Sequence, residues 1–241
     1  MKKLLLALLA VAGISTAHAQ LTGNASLTSD YRFRGISQTQ NGASVQGGID
    51  YAHESGFYVG NWNSSVSSQL YLNGSGLESD LYAGYKKDIY EGVTVDVGSY
   101  NYFYPQSATG ANTSYNTQEV YAGLGYGPVS AKYSRSLGNY FGMYNTVGTG
   151  YAEANINQPV IIIDGLNFVA HYGHTSVANT SAYSYNDINL GATYALPRDF
   201  TVALKWYTNT ATSSTFQSAN TVNGRTLYKD AYVLSVTKTF E

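Results

Sequence analysis

The chain has 241 residues, with 13 lysine and arginine side chains against 15 aspartate and glutamate side chains and a formal net charge of −2. This acidic balance argues against nucleic acid as a partner, because nucleic acids bind to basic surfaces. The sequence contains no cysteine, which excludes a disulfide framework and a thiolate metal site. Charged residues make up only 12% of the chain, while glycine and tyrosine reach 25 and 24 residues. A lipid-facing surface has such a composition, whereas a soluble surface carries more charge.

The N-terminus has the pattern of a secretory signal peptide. Two lysines precede an apolar run over residues 4–14, and a small-residue motif at 17–19 provides a cleavage site before Gln20. Removal of residues 1–19 would leave 222 residues (241 − 19), which we interpret as one domain. No later stretch of the sequence is apolar over the eighteen or so residues that a spanning helix needs. The protein is therefore expected to be exported.

Apolar and polar residues alternate along the rest of the chain, which predicts β-strands with one apolar and one polar face. The first predicted strand runs from about Thr22 to Arg34, and the weakest, the eighth, from about Gly150 to Gln158. In total the alternation predicts about twelve strands, each of the length that a tilted membrane strand requires.

The predicted connections alternate between long and short. Long segments rich in Ser, Thr, Asn and Gly follow the odd-numbered strands, and short turns follow the even-numbered ones. The short turns lie at about 53–56, 89–92, 127–128, 159–165 and 196–199. An outer-membrane barrel with both termini in the periplasm has this asymmetry. The predicted fold class is therefore all-β, a transmembrane antiparallel up-and-down barrel of about 12 strands over residues 20–241.

The last twelve residues predict the strand that closes the barrel. Their alternation places Tyr232, Leu234, Val236 and Phe240 on one apolar face, which we interpret as the assembly signal. Outer-membrane lipid and the outer-membrane assembly machinery are the partners expected for such a strand. For this segment alone, the alternative is the edge strand of a soluble sandwich.

Aromatic residues are predicted to form two girdles, one at each membrane interface. Those assigned to the outer ends of strands are Tyr31, Phe33, Tyr102, Phe103, Tyr104, Trp206 and Tyr207. Those assigned to the periplasmic ends are Phe57, Tyr85, Tyr126, Tyr194, Phe200 and Phe240.

Three segments resemble the TorF-type family of proteobacterial porins. They are residues 28–39 (TSDYRFRGISQT), residues 77–85 (LESDLYAGY) and residues 100–105 (YNYFYP). The resemblance is clearest over residues 20–105 and extends to the end of the chain by architecture alone. It implies an outer-membrane location and a porin-like role, without naming a solute.

Charged residues of both signs are predicted to face the interior of the barrel. The candidates for lining a pore are Asp30, Arg32, Arg34, Asp50, Asp80, Lys86, Asp96, Glu119, Lys132, Glu153, His171 and Lys205. Twelve strands about 4.8 Å apart and tilted by about 40° give a backbone radius of roughly 12 Å. Side chains would then leave a narrow passage, suited to ions and small solutes.

Two features bear on whether that passage is open and what it prefers. Small residues at inward positions favour an open bore over a plugged one, and these positions are Gly48, Gly84, Gly98, Gly123, Gly125, Gly173 and Gly191. Arg32 and Arg34 are expected to attract anions at a constriction. In the rival interpretation, Arg32 pairs with Asp30 or Asp50 and only Arg34 acts on ions.

The sequence shows one cluster that resembles an acyl-transfer site, formed by His171, His174, Ser176 and Asn179. We expect His171 to face the lumen and His174 to lie at a loop, so we predict no enzyme, no metal site and no cofactor. The predicted function is a diffusion channel for ions or small hydrophilic solutes across the outer membrane. The alternative is a closed structural or adhesive barrel that binds a partner through its long loops. Association into oligomers stays open.

Overall fold

The structure is a computed structural model that describes residues 20–71, 74, 76–107 and 114–241. The predicted signal peptide at residues 1–19 lies outside the described residues. Twelve antiparallel strands form a closed barrel in which each strand pairs with its neighbours in sequence. The strands are β1 (Gln20–Thr28), β2 (Ser44–Ala52), β3 (Phe57–Ser65), β4 (Leu77–Tyr90), β5 (Val93–Phe103), β6 (Thr117–Tyr126), β7 (Val129–Ser136), β8 (Gly150–Pro159), β9 (Leu166–Ser176), β10 (Tyr185–Leu196), β11 (Phe200–Asn209) and β12 (Ala231–Phe240). The predicted fold class is confirmed.

The barrel closes through pairing of its first and last strands. Gly23 of β1 lies opposite Phe240 of β12, and Thr28 lies opposite Ser235. The ladder leaves neither strand with an unpaired edge, as a barrel in lipid requires. The predicted position of the last strand is therefore correct. The four residues assigned to the assembly signal all lie exposed on its outer face, namely Tyr232, Leu234, Val236 and Phe240.

The connections follow the predicted asymmetry. The short turns occupy residues 53–56, 91–92, 127–128, 160–165 and 197–199. The long loops comprise residues 29–43, 137–149, 177–184 and 210–230, together with the described residues between β3 and β4 (66–71, 74 and 76) and between β5 and β6 (104–107 and 114–116). Gly92 and Gly127 take positive φ angles in the two tightest turns, where a residue with a Cβ atom would be strained. All six long loops emerge at the same end of the barrel, and the five short turns lie at the other.

Regular helix is confined to the long loops in the described residues. The one α-helix, α1, spans Ser214–Ala219, and 3₁₀ turns occur at Tyr140–Gly142 and Ser181–Tyr183. No helix in the part of the chain that the structure describes is long and apolar enough to cross a membrane.

The outer face of the barrel is an apolar band. Leu27, Leu124 and Leu204 each expose more than half of their surface, at 62%, 58% and 52%. An exposed apolar band of this extent would be unfavourable in water and is what a strand facing lipid needs.

The aromatic residues at the two ends of the barrel behave differently. Those at the short-turn end lie exposed on the outer face as predicted: Phe57, Tyr126, Tyr194, Phe200 and Phe240. Tyr85 joins them there, packed edge-on against Phe57 at 5.0 Å between ring centroids. At the long-loop end the prediction is wrong for Tyr31, Phe33, Tyr102 and Tyr104, which pack together inside the barrel.

The first strand also differs from its prediction. It ends at Thr28 instead of Arg34, and residues 29–43, here called the inner loop, fold back into the barrel. Two short ladder segments, Arg32–Phe33 and Ile36–Ser37, pair with each other within this loop. The alternation of charged and aromatic residues suggested a strand, but both sets of side chains find partners inside the barrel. Arg34 and Gly35 turn the chain with positive φ angles of 46° and 77°.

Replacing Leu204 with lysine should cost about 2–4 kcal/mol of unfolding free energy, the depth-dependent penalty for a cation facing lipid. The measurement is urea unfolding in lipid vesicles, followed by tryptophan fluorescence. Ala203 is only 4% exposed and has no room for lysine, so the better inward control is Thr193→Lys, at a partly exposed position opposite Ala203. Equal destabilisation at Leu204 and Thr193 would show that the assignment of inner and outer faces is wrong.

Candidate functional site: the interior of the barrel

The inner loop crosses the barrel and is fixed to the far wall by Arg34. Its guanidinium donates two hydrogen bonds to the Glu119 carboxylate of β6, at 2.9 and 2.7 Å. The same group donates to the Tyr140 hydroxyl at 2.9 Å and lies 4.0 Å from the centre of the Tyr151 ring of β8. A bidentate pair of this kind fixes both the position and the orientation of the loop.

Both charges of this pair are buried, with the side chains of Arg34 and Glu119 exposed by 6% and 2%. Burial acts to lower the pKa of Arg34, but the neighbouring Glu119 carboxylate outweighs it and raises that pKa well above its usual value. Arg34 therefore stays charged. Removing either partner would leave an uncompensated buried charge, which is strongly destabilising.

Asp30 organises the rest of the inner loop. Its carboxylate accepts from Arg32 Nε at 2.6 Å, from Ser37 Oγ at 2.6 Å and from Thr39 Oγ1 at 3.1 Å. Arg32 also donates at 2.7 Å to the backbone carbonyl of Lys229, in the long loop before β12. The structure therefore shows the rival arrangement, in which Arg32 pairs with Asp30, and it gives Arg34 a partner as well.

Aromatic side chains fill the upper interior, the half of the barrel nearest the long loops. Phe33 packs edge-on against Tyr102 at 5.5 Å, and Tyr31 packs edge-on against Trp62 at 5.3 Å. Phe141, from the loop before β8, lies 5.5 Å from Phe33. This half of the interior is a packed core built from the inner loop, the wall and a second loop.

The lower interior, nearest the short turns, is polar and partly exposed. Tyr82 donates to Asp50 at 2.5 Å, and Tyr58 donates to Asp96 at 2.7 Å while also bonding the Tyr121 hydroxyl. Next to them, Lys132 of β7 pairs with Glu153 of β8 at 2.9 Å. The Lys132 side chain is 34% exposed although it points into the barrel. Solvent therefore reaches this half of the interior.

Inward-facing glycines make room for tyrosine rings of the adjacent strands. A methyl group on the glycine would overlap the ring in four pairs, Gly60–Tyr82, Gly84–Tyr58, Gly98–Tyr121 and Gly173–Tyr151. Three of these glycines, Gly84, Gly98 and Gly173, are among the small residues from which an open bore was expected. The space they release is taken up by tyrosines, so they do not support that inference.

The predicted pore-lining residues fall into two groups. Asp30, Arg32 and Arg34 lie in the inner loop, contrary to their expected place on the first strand. The others all occupy inward positions on strands, as predicted, and these are Asp50, Asp80, Lys86, Asp96, Glu119, Lys132, Glu153, His171 and Lys205. Their contribution to a conducting path stays a prediction.

His171 lies in a polar cluster that sequence reasoning found only in part. Its Nε2 lies 3.0 Å from Asp187 Oδ1 and 2.9 Å from the Tyr151 hydroxyl, while its Nδ1 lies 2.6 Å from Asn155 Oδ1. His171 faces the lumen as predicted. Asp187 and Tyr151 were missed, although both share the inward parity of their strands.

The rest of the acyl-transfer candidate does not assemble. His174 lies on β9, where it is exposed on the outer face, instead of in a loop. Its Nδ1 bonds the Asn186 side chain at 2.7 Å, and no hydrogen bond joins it to Ser176 within the described residues. The described ranges also contain no group of three or more His, Cys, Asp or Glu side chains arranged for a metal ion.

Replacing Arg34 with methionine should release the inner loop, because the buried Glu119 would lose its counter-charge at a cost of about 3–5 kcal/mol. A Ser37→Cys reporter in the otherwise cysteine-free protein can be labelled with maleimide, since Ser37 is 0% exposed in the closed loop. The rate of maleimide labelling should rise more than about tenfold above that of the reporter protein with Arg34 intact.

Arg198→Met, in an exposed short turn, is the matched control and should leave the labelling rate unchanged. The double change Arg34→Met/Glu119→Leu should bring the rate back toward that of the parent. An unchanged rate with Arg34→Met alone would show that the pair does not hold the loop.

Comparison with solved structures places this barrel among porin folds. It is similar to the structure described as the KdgM porin, with a TM-score of 0.56 and 8% identity over 91% of this chain and 99% of that chain. It is likewise similar to the NanC porin structure, with a TM-score of 0.58 and 9% identity over 92% of this chain and 100% of that chain. At such low identity the likeness shows the fold alone. The sequence has no match among curated proteins.

A family model described as a bacterial protein of unknown function, Gcw_chp, matches residues 12–240. The resemblance to TorF-type porins is more specific than this family model and stays a prediction. Because the family model covers residues 12–240, the chain belongs to the Gcw_chp family of bacterial proteins.

Proposed function

We propose that this protein is an outer-membrane channel that passes ions or small hydrophilic solutes through the interior of its barrel. The observation that carries the proposal is the solvent access of the lower interior, where the inward-facing Lys132 keeps 34% of its side chain exposed. A barrel closed throughout would bury such a group. The apolar outer band and the porin fold support a location in lipid.

Within this proposal the charged residues have two roles. Asp50, Lys86, Asp96, Lys132, Glu153, His171 and Lys205 line the path through the barrel. Asp30, Arg32, Arg34 and Glu119 instead hold the inner loop in place, and Asp80 is buried in the upper interior. The solute path then runs beside the inner loop and opens into the lower interior.

The charge balance of the solvent-accessible interior favours cations over anions by a small excess. The fully buried Glu78 and Asp80 and the pairs formed by Arg32 and Arg34 do not contribute to it. The remaining inward carboxylates are Asp50, Asp96, Glu153 and Asp187, and the remaining inward cations are Lys86, Lys132 and Lys205. Both arginines are neutralised by carboxylates, so the anion attraction first expected of them is lost. Asp50 and Asp96 are bonded by tyrosine hydroxyls, which leave their negative charge in place.

The same charge balance suggests that this protein and one of its structural neighbours bind different solutes. One solved structure with a TM-score of 0.55 is a KdgM porin in complex with oligogalacturonate, a polymer of negatively charged sugars. An interior with excess carboxylates repels a polyanion. We therefore propose small cations and neutral hydrophilic solutes as the substrates of this channel.

The inner loop favours a second candidate, the closed structural or adhesive barrel. It packs the upper interior with buried charge pairs and aromatic rings, and the long loops would then bind a partner at the cell surface. The two candidates differ in one measurable property, which is conductance.

Purified wild-type protein in a planar bilayer should give small single-channel steps. A variant in which a short Gly/Ser linker replaces residues 31–41 should give larger ones, because the upper interior loses most of its filling. A step size unaffected by this replacement would show that the loop does not limit the path. Wild-type protein that inserts without conducting would overturn the channel and favour the closed barrel.

Asp50→Asn and Asp96→Asn together should shift the reversal potential in a salt gradient toward anion preference, most strongly at low salt where screening is weak. Asp164→Asn, in a short turn with an exposed side chain, is the control and should leave the potential unchanged. An unshifted potential in the double variant would exclude these carboxylates from the path.

A further inference from the structure

Two carboxylates lie side by side in the upper interior without a counter-charge. Glu78 and Asp80 occupy successive inward positions on β4 and are 0% and 1% exposed. Among the described residues, neither has a lysine, arginine or histidine nitrogen within 4.0 Å. Glu119 and Asp30, buried to a similar degree in the same half of the barrel, are each paired with an arginine.

Each of the two carboxylates also has an oxygen atom without a hydrogen-bond partner. Glu78 Oε1 accepts from the Tyr31 hydroxyl at 3.2 Å, but Glu78 Oε2 and Asp80 Oδ1 are buried and unbonded. A buried charge is costly unless it is paired, and a buried polar atom is costly unless it is bonded. The two groups therefore need compensation, either by bound protons or by a bound cation.

Among the residues that the structure describes, the surroundings provide neutral oxygen atoms and no imidazole nitrogen or thiolate ligand. The hydroxyls of Tyr31 and Tyr104 adjoin Glu78, and the hydroxyl of Tyr100 adjoins Asp80. Carboxylates together with neutral oxygens are the ligands of hard cations, whereas zinc and copper favour imidazole and thiolate. One divalent ion would balance the two charges when both carboxylates are ionised.

We propose that Glu78 and Asp80 bind one divalent cation of the calcium class. Calcium accepts six to eight oxygen ligands in irregular geometry, whereas magnesium demands a near-ideal octahedron and retains water. A pair of carboxylates with tyrosine hydroxyls on one strand suits the larger and more tolerant ion. Because Tyr31 belongs to the inner loop and donates to Glu78, the ion would tie that loop to β4.

The test uses terbium as the calcium probe, with the full mature protein folded in detergent micelles. Excitation of the adjoining tyrosines should sensitise terbium emission that saturates and is displaced by calcium but not by magnesium. The double variant Glu78→Gln/Asp80→Asn should weaken terbium binding more than about 10-fold. Substitutions of residues that only support metal ligands already lower metal affinity by about 10- to 100-fold, and these two residues would be ligands themselves. Glu54→Gln, at an exposed carboxylate in a short turn, is the matched control and should bind as the wild type does.

Emission that persists in the double variant would place the ion elsewhere and overturn the proposal. Wild-type protein without calcium-displaceable emission would overturn it too, and would leave a proton shared between the two carboxylates as their compensation. If the double variant does not fold, the melting temperature of the wild-type protein serves as the test. Calcium should raise that melting temperature above its value in EDTA or in magnesium. The same melting temperature in calcium, magnesium and EDTA would contradict the site. None of these readouts needs the barrel to conduct.

Discussion

The structure depends on one constraint, that backbone N–H and C=O groups at membrane depth must be bonded within the protein. Twelve strands satisfy it only because β1 pairs with β12 and leaves no edge. Once the barrel is closed, each strand has one face toward lipid and one toward the interior. Every charged side chain of the wall is then confined to the interior or to the two ends. A long loop that carries charge can extend outward into water or fold inward, and the residues of the inner loop find better partners inside.

Interior volume explains why a loop is needed there. A twelve-strand barrel has a backbone radius of roughly 12 Å, too wide for the side chains of the wall alone to fill. The inner loop supplies the missing volume in the upper half, with Phe33 packed against Tyr102 and Phe141. In the lower half, tyrosine rings lie across the glycines of adjacent strands, as Tyr58 does over Gly84. These rings reach sideways along the wall instead of toward the axis, so the lower half keeps its solvent.

Period-two alternation is a local signal, and it was sufficient to predict the strands, the loop asymmetry and the closing strand. It could not show where the first strand ends, because Asp30 to Arg34 alternates as well as the strand before it. That outcome depends on Glu119 and Tyr140, which lie 85 and 106 residues from Arg34 in the sequence. Some errors of the sequence-based prediction were avoidable. Tyr102 has the same parity on β5 as the inward Asp96 and could have been placed inside the barrel. On β4, Glu78 lies two residues before the inward Asp80 and could have been placed inside by the same alternation.

The inner loop is held at several separate points of the barrel, and this limits how solutes could pass it. Arg34 fixes it to β6, Tyr31 to β4 and Arg32 to the loop before β12. The Gln38 carbonyl also accepts from the Ser67 backbone N–H, in the loop before β4. A hinge movement about any one of these points would still have to break the others, and the ion pair of Arg34 is buried and costly to separate. Displacing the whole loop is therefore a slow route for a solute. In the channel proposed above, a path beside the loop would need no such rupture, but the loop would leave it narrow. The inner loop, more than the width of the barrel, would then set the size limit for solutes.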